Sequence, residues 1–119
     1  MSRPICAANP SRSERVAQYD VYPHPVEELR PDQPYVVEVQ SSFIKSPGAR
    51  ITIPLSRLQP GASPMSRLNP RVEIAGEELV LDTLFMSSYD PADLRRVQAN
   101  LRAEANAIWA AIDYALHGY

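Results

Sequence analysis

Few residues in this chain could carry chemistry at neutral pH. Only His24 and His117 have the pKa of a general base, and the single cysteine, Cys6, has no partner for an internal disulfide. No glycine-rich phosphate loop is present, and the scattered Ser and Asp residues show no spacing typical of a catalytic triad. His24 lies between two prolines, so we expect an extended, solvated backbone there, with no second ligand at metal-binding spacing. These residues do not favour catalysis, a cofactor or a metal.

The charges are unevenly distributed along a chain whose net charge is −2. The segment from Lys45 to Arg71 contains five cations and no acid, and the segment from Glu73 to Asp93 contains six acids and no cation. Two interpretations stay open: an ordinary surface with a basic and an acidic half, or a basic face for an acidic or nucleic-acid partner. The net charge argues against a protein that coats a polyanion.

Length and composition indicate one small domain. At 119 residues and 45% hydrophobic content, the chain can bury a single modest core. No apolar run approaches the roughly 20 residues of a membrane span, and the N-terminus lacks the apolar stretch of a secretory signal. We therefore expect a soluble, cytoplasmic protein. Residues 1–17, rich in Ser, Arg and Pro, are interpreted as a flexible extension, and residues 18–119 as the domain.

The elements that position any site are organised around Val37–Leu55, which reads VEVQSSFIKSPGARITIPL. Apolar residues alternate in its two ends, which predicts two strands with one buried face. Pro47 and Gly48 suit a type II turn between them, so the stretch predicts a hairpin. We expect the alternating residues to face the core: Val37, Val39, Ile51, Ile53 and Leu55. Phe43 and Ile44 are an unusual apolar pair for a solvated hairpin tip.

Shorter alternating runs predict the rest of a sheet. Residues 19–22 read as a strand that the following prolines end, and Ser56–Pro70 reads as a loop with at most a turn of helix. A second hairpin turns at Gly76, with Val72 and Ile74 inward on one strand and Leu79, Leu81 and Thr83 on the other. About five short strands joined by hairpins are typical of a small antiparallel barrel or curled sheet.

The end of the chain carries a helical pattern. Asp90 can cap the first turn, Pro91 suits its first position, and Asp93 adds a charge favourable to the dipole. An apolar stripe at intervals of three and four predicts a helix over 91–117, with Gly118 ending it. The stripe comprises Leu94, Val97, Leu101, Ala105, Ile108, Ile112 and Leu116. Ile108, Ile112 and Ala115 are expected in the core, whereas Trp109 falls off the stripe and could cover a sheet edge or a subunit contact.

The residues of these elements resemble one family. VEVQSSFIKSPGARITIPL resembles the central hairpin of the CcdB toxins, RLNPRVEIAGEELVLDT (67–83) resembles their next hairpin, and AIDYALHGY resembles their C-terminal helix. The resemblance runs from about Tyr19 to Tyr119. It implies a mainly β fold, a small SH3-like antiparallel barrel of the CcdB and MazF kind, with a C-terminal helix that starts near Arg102 rather than at 91.

The resemblance also implies a function. CcdB toxins are homodimers that bind the A subunit of DNA gyrase, trap its complex with cleaved DNA, and are neutralised by a CcdA-like antitoxin. They are not enzymes, and no cofactor, metal, membrane or sequence-specific nucleic-acid binding is expected. At position 117 this chain has His where the founding member has a tryptophan that stacks on a gyrase arginine, and Tyr119 replaces a terminal isoleucine. Carried over by position, the gyrase-binding residues are Phe43, Ile44, Asp113, Leu116, His117, Gly118 and Tyr119.

Two alternatives stay open beside this hypothesis. MazF-like ribonuclease toxins share the architecture, and in that case a basic face would hold RNA and polarise its phosphate. That face would comprise Arg50, Thr52, Arg57 and Arg67. The other alternative is a degenerate homologue that is not toxic and acts only through interactions.

Overall fold

Seven strands and one α-helix make up the part of the chain that the structure describes. The structure is a computed structural model, and it describes residues 18–44 and 48–118. The strands are β1 (Asp20–Pro23), β2 (Tyr35–Glu38), β3 (Arg50–Arg57), β4 (Arg71–Ile74), β5 (Glu77–Leu81), β6 (Ser87–Tyr89) and β7 (Ala99–Asn100), and the helix is α1 (Ala105–His117). Single 3-10 turns occupy Glu27–Leu29, Thr83–Phe85, Pro91–Asp93 and Arg102–Glu104.

All strand pairs are antiparallel, and β3 organises the sheet. The strand order is β4-β5-β3-β2-β1-β7, and β6 also pairs with β3. One edge of β3 pairs with β2, whereas the other edge pairs with β6 at Arg50–Thr52 and with β5 at Leu55–Arg57. Because one long strand serves two partners on the same edge, the sheet curls into a nearly closed barrel. The predicted fold class, a small antiparallel barrel with a C-terminal helix, is confirmed.

The predicted β2–β3 hairpin is present, with Val37 opposite Ile53 and Tyr35 opposite Leu55. Val37, Ile53 and Leu55 are fully buried, and Val39 is nearly so. The prediction for Ile51 is wrong, because its side chain is 37% exposed. Ile51 shares the face of Ile53 but lies beyond the residues of the main core cluster. The predicted turn at Pro47–Gly48 includes Pro47, and residues 45–47 lie outside the described part of the chain.

The core has two parts, one on each face of the sheet. The larger part packs Ile108, Ala111 and Ile112 of α1 against β-strand residues that include Ile53 and Leu79. The smaller part contains Tyr22, Val36 and Leu94, with Tyr89 packed against it. Central strands are therefore covered on both faces. Ala115, expected in the core, is only half-buried.

The helix predicted over 91–117 is wrong over its first half, because α1 begins only at Ala105. Asp90 does cap, since its Oδ1 accepts from the Ala92 amide at 2.8 Å, but the turn at Pro91–Asp93 ends at once. Arg96 then adopts a left-handed φ of 63°, which no α-helix accommodates. The chain continues extended, and the Gln98 amide donates to the Val21 carbonyl at 2.7 Å. The free edge of β1 thus takes this segment as its partner, and the start near Arg102 that the resemblance implied is confirmed.

The second predicted hairpin is also present, as β4 and β5. Ala75 and Gly76 form its two-residue turn with φ of 53° and 83°, a pair of positive values typical of a type I′ turn. The second strand ends at Leu81, earlier than predicted, and Thr83 is buried within a 3-10 turn, with its Oγ1 donating to the Leu68 carbonyl at 2.6 Å. Residues 58–70 form turns without a helix.

His24 is not solvated, contrary to the prediction. Its side chain is 1% exposed, with the ring edge-on to Tyr89 at 5.8 Å between centroids. Nδ1 accepts from the Val26 amide at 3.0 Å, so the loop folds back over the imidazole. Burial lowers the pKa of His24, and the nearby Arg30 charge lowers it further.

Residues 1–17, predicted to be a flexible extension, lie outside the described residues, as does Cys6.

Candidate functional site

Two predicted site residues form an exposed apolar loop between β2 and β3. Phe43 is 95% exposed and Ile44 is 58% exposed; we call this pair the loop patch. The loop folds on itself, since the Phe43 amide donates to Ser41 Oγ and the Ile44 amide donates to the Ser41 carbonyl, both at 3.1 Å. Exposure of an apolar side chain such as Phe43 to water is unfavourable in free energy. The backbone conformation that exposes it is therefore held by the surrounding polar contacts.

Those contacts converge on the Ile44 carbonyl. It accepts from Arg50 Nη1 at 2.6 Å and from Gln40 Nε2 at 3.0 Å. Gln40 in turn accepts from the Ile51 amide at 3.0 Å. Residues 40–44 are thus joined to β3 through one backbone oxygen and through Gln40, at Arg50 and Ile51, and these contacts hold the backbone that carries the loop patch.

A buried ion pair fixes Arg50 beneath the loop. Both Nε and Nη2 of Arg50 donate to Oε2 of Glu38, and the carboxylate is fully buried. The Tyr22 hydroxyl donates to its Oε1 at 3.4 Å. Burial raises the pKa of Glu38, while its hydrogen bond to Arg50 acts in the opposite direction. Burial and the Glu38 charge raise the pKa of Tyr22. The loop patch therefore depends on a charged group in the protein interior.

The other predicted site residues lie at the end of α1. Leu116 is 69% exposed, and Asp113, His117 and Gly118 are exposed as well; we call these four residues the helix tip. Gly118 ends the helix with a φ of 81°, and its amide donates to the Tyr114 carbonyl at 2.8 Å, as predicted. Tyr119 lies outside the described residues.

Contacts on two sides fix the direction of α1. Trp109 Nε1 donates to the Tyr19 hydroxyl at 2.8 Å, which joins the first half of the helix to the start of β1. Near the end of the helix, the Arg67 guanidinium lies over the Tyr114 ring, 4.4 Å from its centroid. Asp113 lines a cleft of about 370 Å³ with Ser66 and Arg67. Trp109 thus contacts the residue before β1 and is still 40% exposed, so its two predicted roles, covering a sheet edge or forming a subunit contact, stay predictions.

A third apolar surface was not predicted. Leu84 and Phe85 are more than 60% exposed, and Met86 is 36% exposed; we call these three residues the middle patch. The 3-10 turn that carries Leu84 and Phe85 contacts α1, and β6, which follows Met86, places Ser88 opposite Ile51 near the loop patch. The middle patch lies between the elements that carry the loop patch and the helix tip. The sequence signal for it is the apolar run Leu84, Phe85 and Met86 that follows Thr83.

The structure does not assemble the proposed basic face. Arg50 is buried on Glu38, and Thr52 is fully buried, with Oγ1 donating to the Ser87 carbonyl at 3.0 Å. Arg57 pairs with Glu77 at 2.6 Å, and Arg67 lies against a tyrosine ring. The basic and acidic segments of the sequence are adjacent in the sheet, where Arg57 pairs with Glu77 and Arg71 pairs with Glu78.

The described residues hold no group of three or more His, Cys, Asp or Glu side chains arranged to bind a metal. His24 is buried at the opposite end of β1 from the Glu38–Arg50 pair. Among residues 18–44 and 48–118, no helix has the length and apolar character needed to cross a membrane. The arrangement presents apolar surface on a rigid frame, which is the chemistry of protein binding.

Comparison with known proteins identifies the family to which this fold belongs. The CcdB protein family matches residues 18–118, a range that contains both hairpins, the loop patch and the helix tip. The chain belongs to the CcdB family. Membership supports the role of a toxin in a toxin–antitoxin system. A comparison with curated proteins finds no match.

Proposed function

We propose that this CcdB family protein is the toxin of a type II toxin–antitoxin system and acts by binding the A subunit of DNA gyrase. In this proposal the loop patch and the helix tip, together with Tyr119, contact gyrase and trap its complex with cleaved DNA. The protein makes and breaks no bonds itself. A CcdA-like antitoxin neutralises it by covering or distorting the same surface, and residues 18–119 are sufficient for both interactions.

The observation that carries the proposal is the exposure of Phe43 on an anchored loop within a family match that spans both patches. Large apolar residues that are held rigidly and left exposed are the usual anchors of protein interfaces. The polar groups beneath them are used internally, because Arg50 binds Glu38 and the Ile44 carbonyl. This arrangement favours a binding surface over a catalytic one.

The middle patch supports a homodimer. Leu84 and Phe85 belong to the 3-10 turn that contacts α1, and Met86 directly precedes β6. An apolar patch of this kind is a typical subunit contact. A second copy placed across it would bring two loop patches and two helix tips near one two-fold axis. Gyrase presents two-fold symmetric subunits, so a two-fold toxin could engage both of them.

Induced expression tests the proposal. In cells with sensitive gyrase, we expect growth to stop with accumulated double-strand DNA breaks, and purified protein should stabilise cleaved DNA in a gyrase reaction. Phe43→Ser should remove both effects with a stability change within about 0.5 kcal/mol, since the side chain is exposed. Met65→Ser is the matched control, because Met65 is also exposed but lies on the 58–70 loop; it should stay toxic.

A truncation tests the helix tip separately. Deletion of residues 117–119 should abolish toxicity while thermal unfolding stays close to that of the full chain. Antitoxin binding should persist, because the antitoxin also covers or distorts the rest of that surface. A truncated protein that is still fully toxic would show that the carried-over contact surface is wrong. Messenger RNA decay with intact DNA would instead support the ribonuclease alternative, and an absence of both effects would support the non-toxic homologue.

A further inference from the structure

The arginines of the described residues divide into three groups by what they contact. Arg50, Arg57 and Arg71 pair with carboxylates, and the guanidinium groups of Arg67 and Arg102 lie over tyrosine rings. The remaining three have neither kind of partner within the described part of the chain. They are Arg30, Arg95 and Arg96.

These three arginines line one cleft. It has a volume of about 410 Å³, and Pro23, Pro25 and Asp93 complete its walls. Two of the guanidinium groups are oriented by the backbone, because Arg30 Nε donates to the His24 carbonyl at 2.7 Å and Arg95 Nε donates to the Ala92 carbonyl at 2.8 Å. Bonding through Nε leaves the terminal nitrogens of both groups for a ligand.

Arg96 occupies this cleft at a cost to stability. Its φ of 63° is in the left-handed region, which side chains other than Gly, Asn and Asp rarely adopt. Because glycine would fit this backbone conformation better, we infer that an arginine occupies the position for the sake of its side chain. Strain that a fold retains at one position is a reason to test that position for function.

We propose that the cleft of Arg30, Arg95 and Arg96 binds a carboxylate-rich peptide segment of a partner protein. Three guanidinium groups match carboxylates in charge and in bidentate geometry. A nucleic acid fits less well, because its long row of phosphates would extend beyond the three arginines onto the exposed acids Glu27 and Glu28, whereas a short peptide can place its carboxylates on the arginines alone. The cleft binds independently of gyrase. Identifying this partner as the antitoxin would rest on the proposed function.

The test uses the full chain and a capped hexaglutamate peptide as the probe. Titration followed by two-dimensional NMR should shift the side-chain Nε–H signals of Arg95 and Arg96 and the backbone signals of residues 24–31. In Arg95→Gln/Arg96→Gln the dissociation constant should rise at least about tenfold, as expected for the loss of charge-assisted hydrogen bonds. Arg71→Gln is the control, since Arg71 is exposed and pairs with Glu78; it should bind as the wild type does.

A second variant separates binding from folding. Arg96→Gly should weaken hexaglutamate binding while raising Tm by roughly 4 °C, because glycine relieves the left-handed strain. Equal weakening by Arg71→Gln, shifts located elsewhere, or tighter binding of a 20-nucleotide single-stranded DNA than of the peptide would overturn the proposal. So would Arg96→Gly binding hexaglutamate at full strength. The readout does not involve toxicity, so a failure here leaves the gyrase hypothesis standing, and the reverse also holds.

Discussion

The two hairpins of this protein use charge in opposite ways. The β2–β3 hairpin places Glu38 and Arg50 in the interior and ends in a long loop with exposed apolar residues. The β4–β5 hairpin ends in the two-residue turn Ala75–Gly76 and has its ion pairs on the surface. The Arg71–Glu78 pair is 3.6 Å apart, with both side chains more than half exposed.

The difference indicates that the β4–β5 hairpin is shaped by stability, whereas the β2–β3 hairpin is shaped by the presentation of the loop patch. A short turn and surface ion pairs close a hairpin at little cost in free energy, and exposed ion pairs add little to the free energy of unfolding. A buried pair carries a large desolvation cost that its mutual attraction barely offsets. Since Arg50 also donates to the Ile44 carbonyl, the buried pair is best explained by the loop that it holds.

Removal of one buried partner should have the largest effect. Glu38→Ala leaves the Arg50 charge buried without its carboxylate, so we expect a loss of about 3–5 kcal/mol in the free energy of unfolding. Urea denaturation measures it. Glu78→Ala on the other hairpin should cost less than about 1 kcal/mol, because its ion pair is exposed.

A double variant then separates stability from presentation. Glu38→Leu/Arg50→Met replaces the pair by apolar side chains of similar volume, which should restore most of the stability. The Ile44 carbonyl would still lack its guanidinium donor, so toxicity should stay low. Full toxicity in a stable double variant would mean that the buried pair does not position the loop patch.

Acid should affect the first hairpin more than the second. His24 contacts Tyr89 of β6, which pairs with the start of β3. Because the pKa of His24 is lowered in the folded protein, the unfolded chain binds the proton first. Stability is then complete above the ordinary histidine pKa near 6.5 and falls as the pH drops below it, by at most about 1.4 kcal/mol per pH unit for one proton. Hydrogen exchange at pH 7 and pH 5.5 should show faster opening at β3 and β6 than at β4.

His24→Gln is the control for this pH dependence. Glutamine can accept the Val26 amide without titrating, so its stability should vary less with pH between 7 and 5.5. The raised pKa of Glu38 acts in the opposite direction, since protonation on the folded side adds stability as the pH falls. The comparison of the two proteins cancels that contribution. Identical pH slopes would show that His24 is not the acid-sensitive group.

Local patterns predicted those parts of the fold that local chemistry determines. The alternation around Val37 and Ile53 and the glycine at 76 were sufficient for both hairpins, and the same pattern with its family resemblance identified the loop patch. For residues 91–104 the pattern predicts the wrong element, because their apolar spacing fits a helix equally well. The competing demand, a partner strand for the edge of β1, comes from a segment far away in sequence.

The buried polar groups could not be predicted for a similar reason. Glu38 alternates with Val37 and Val39 as a solvated residue would, and only the second core on the outer face of the sheet buries it. The position of His24 between two prolines likewise predicts a solvated side chain, whereas in the fold Tyr89 of β6 packs against its ring. The convergence of Arg30 with Arg95 and Arg96 joins segments over 60 residues apart, which no single-sequence pattern encodes.

The smallest effect concerns the turn of the second hairpin. Ala75 has a φ of 53° where a type I′ turn prefers asparagine. Ala75→Asn should therefore raise the free energy of unfolding by about 0.5–1 kcal/mol, measured by urea denaturation, without changing toxicity. Gly76→Ala, at a φ of 83°, should lower it by a similar amount. If Ala75→Asn altered toxicity at unchanged stability, the second hairpin would take part in presentation, and the division of roles between the hairpins would be wrong.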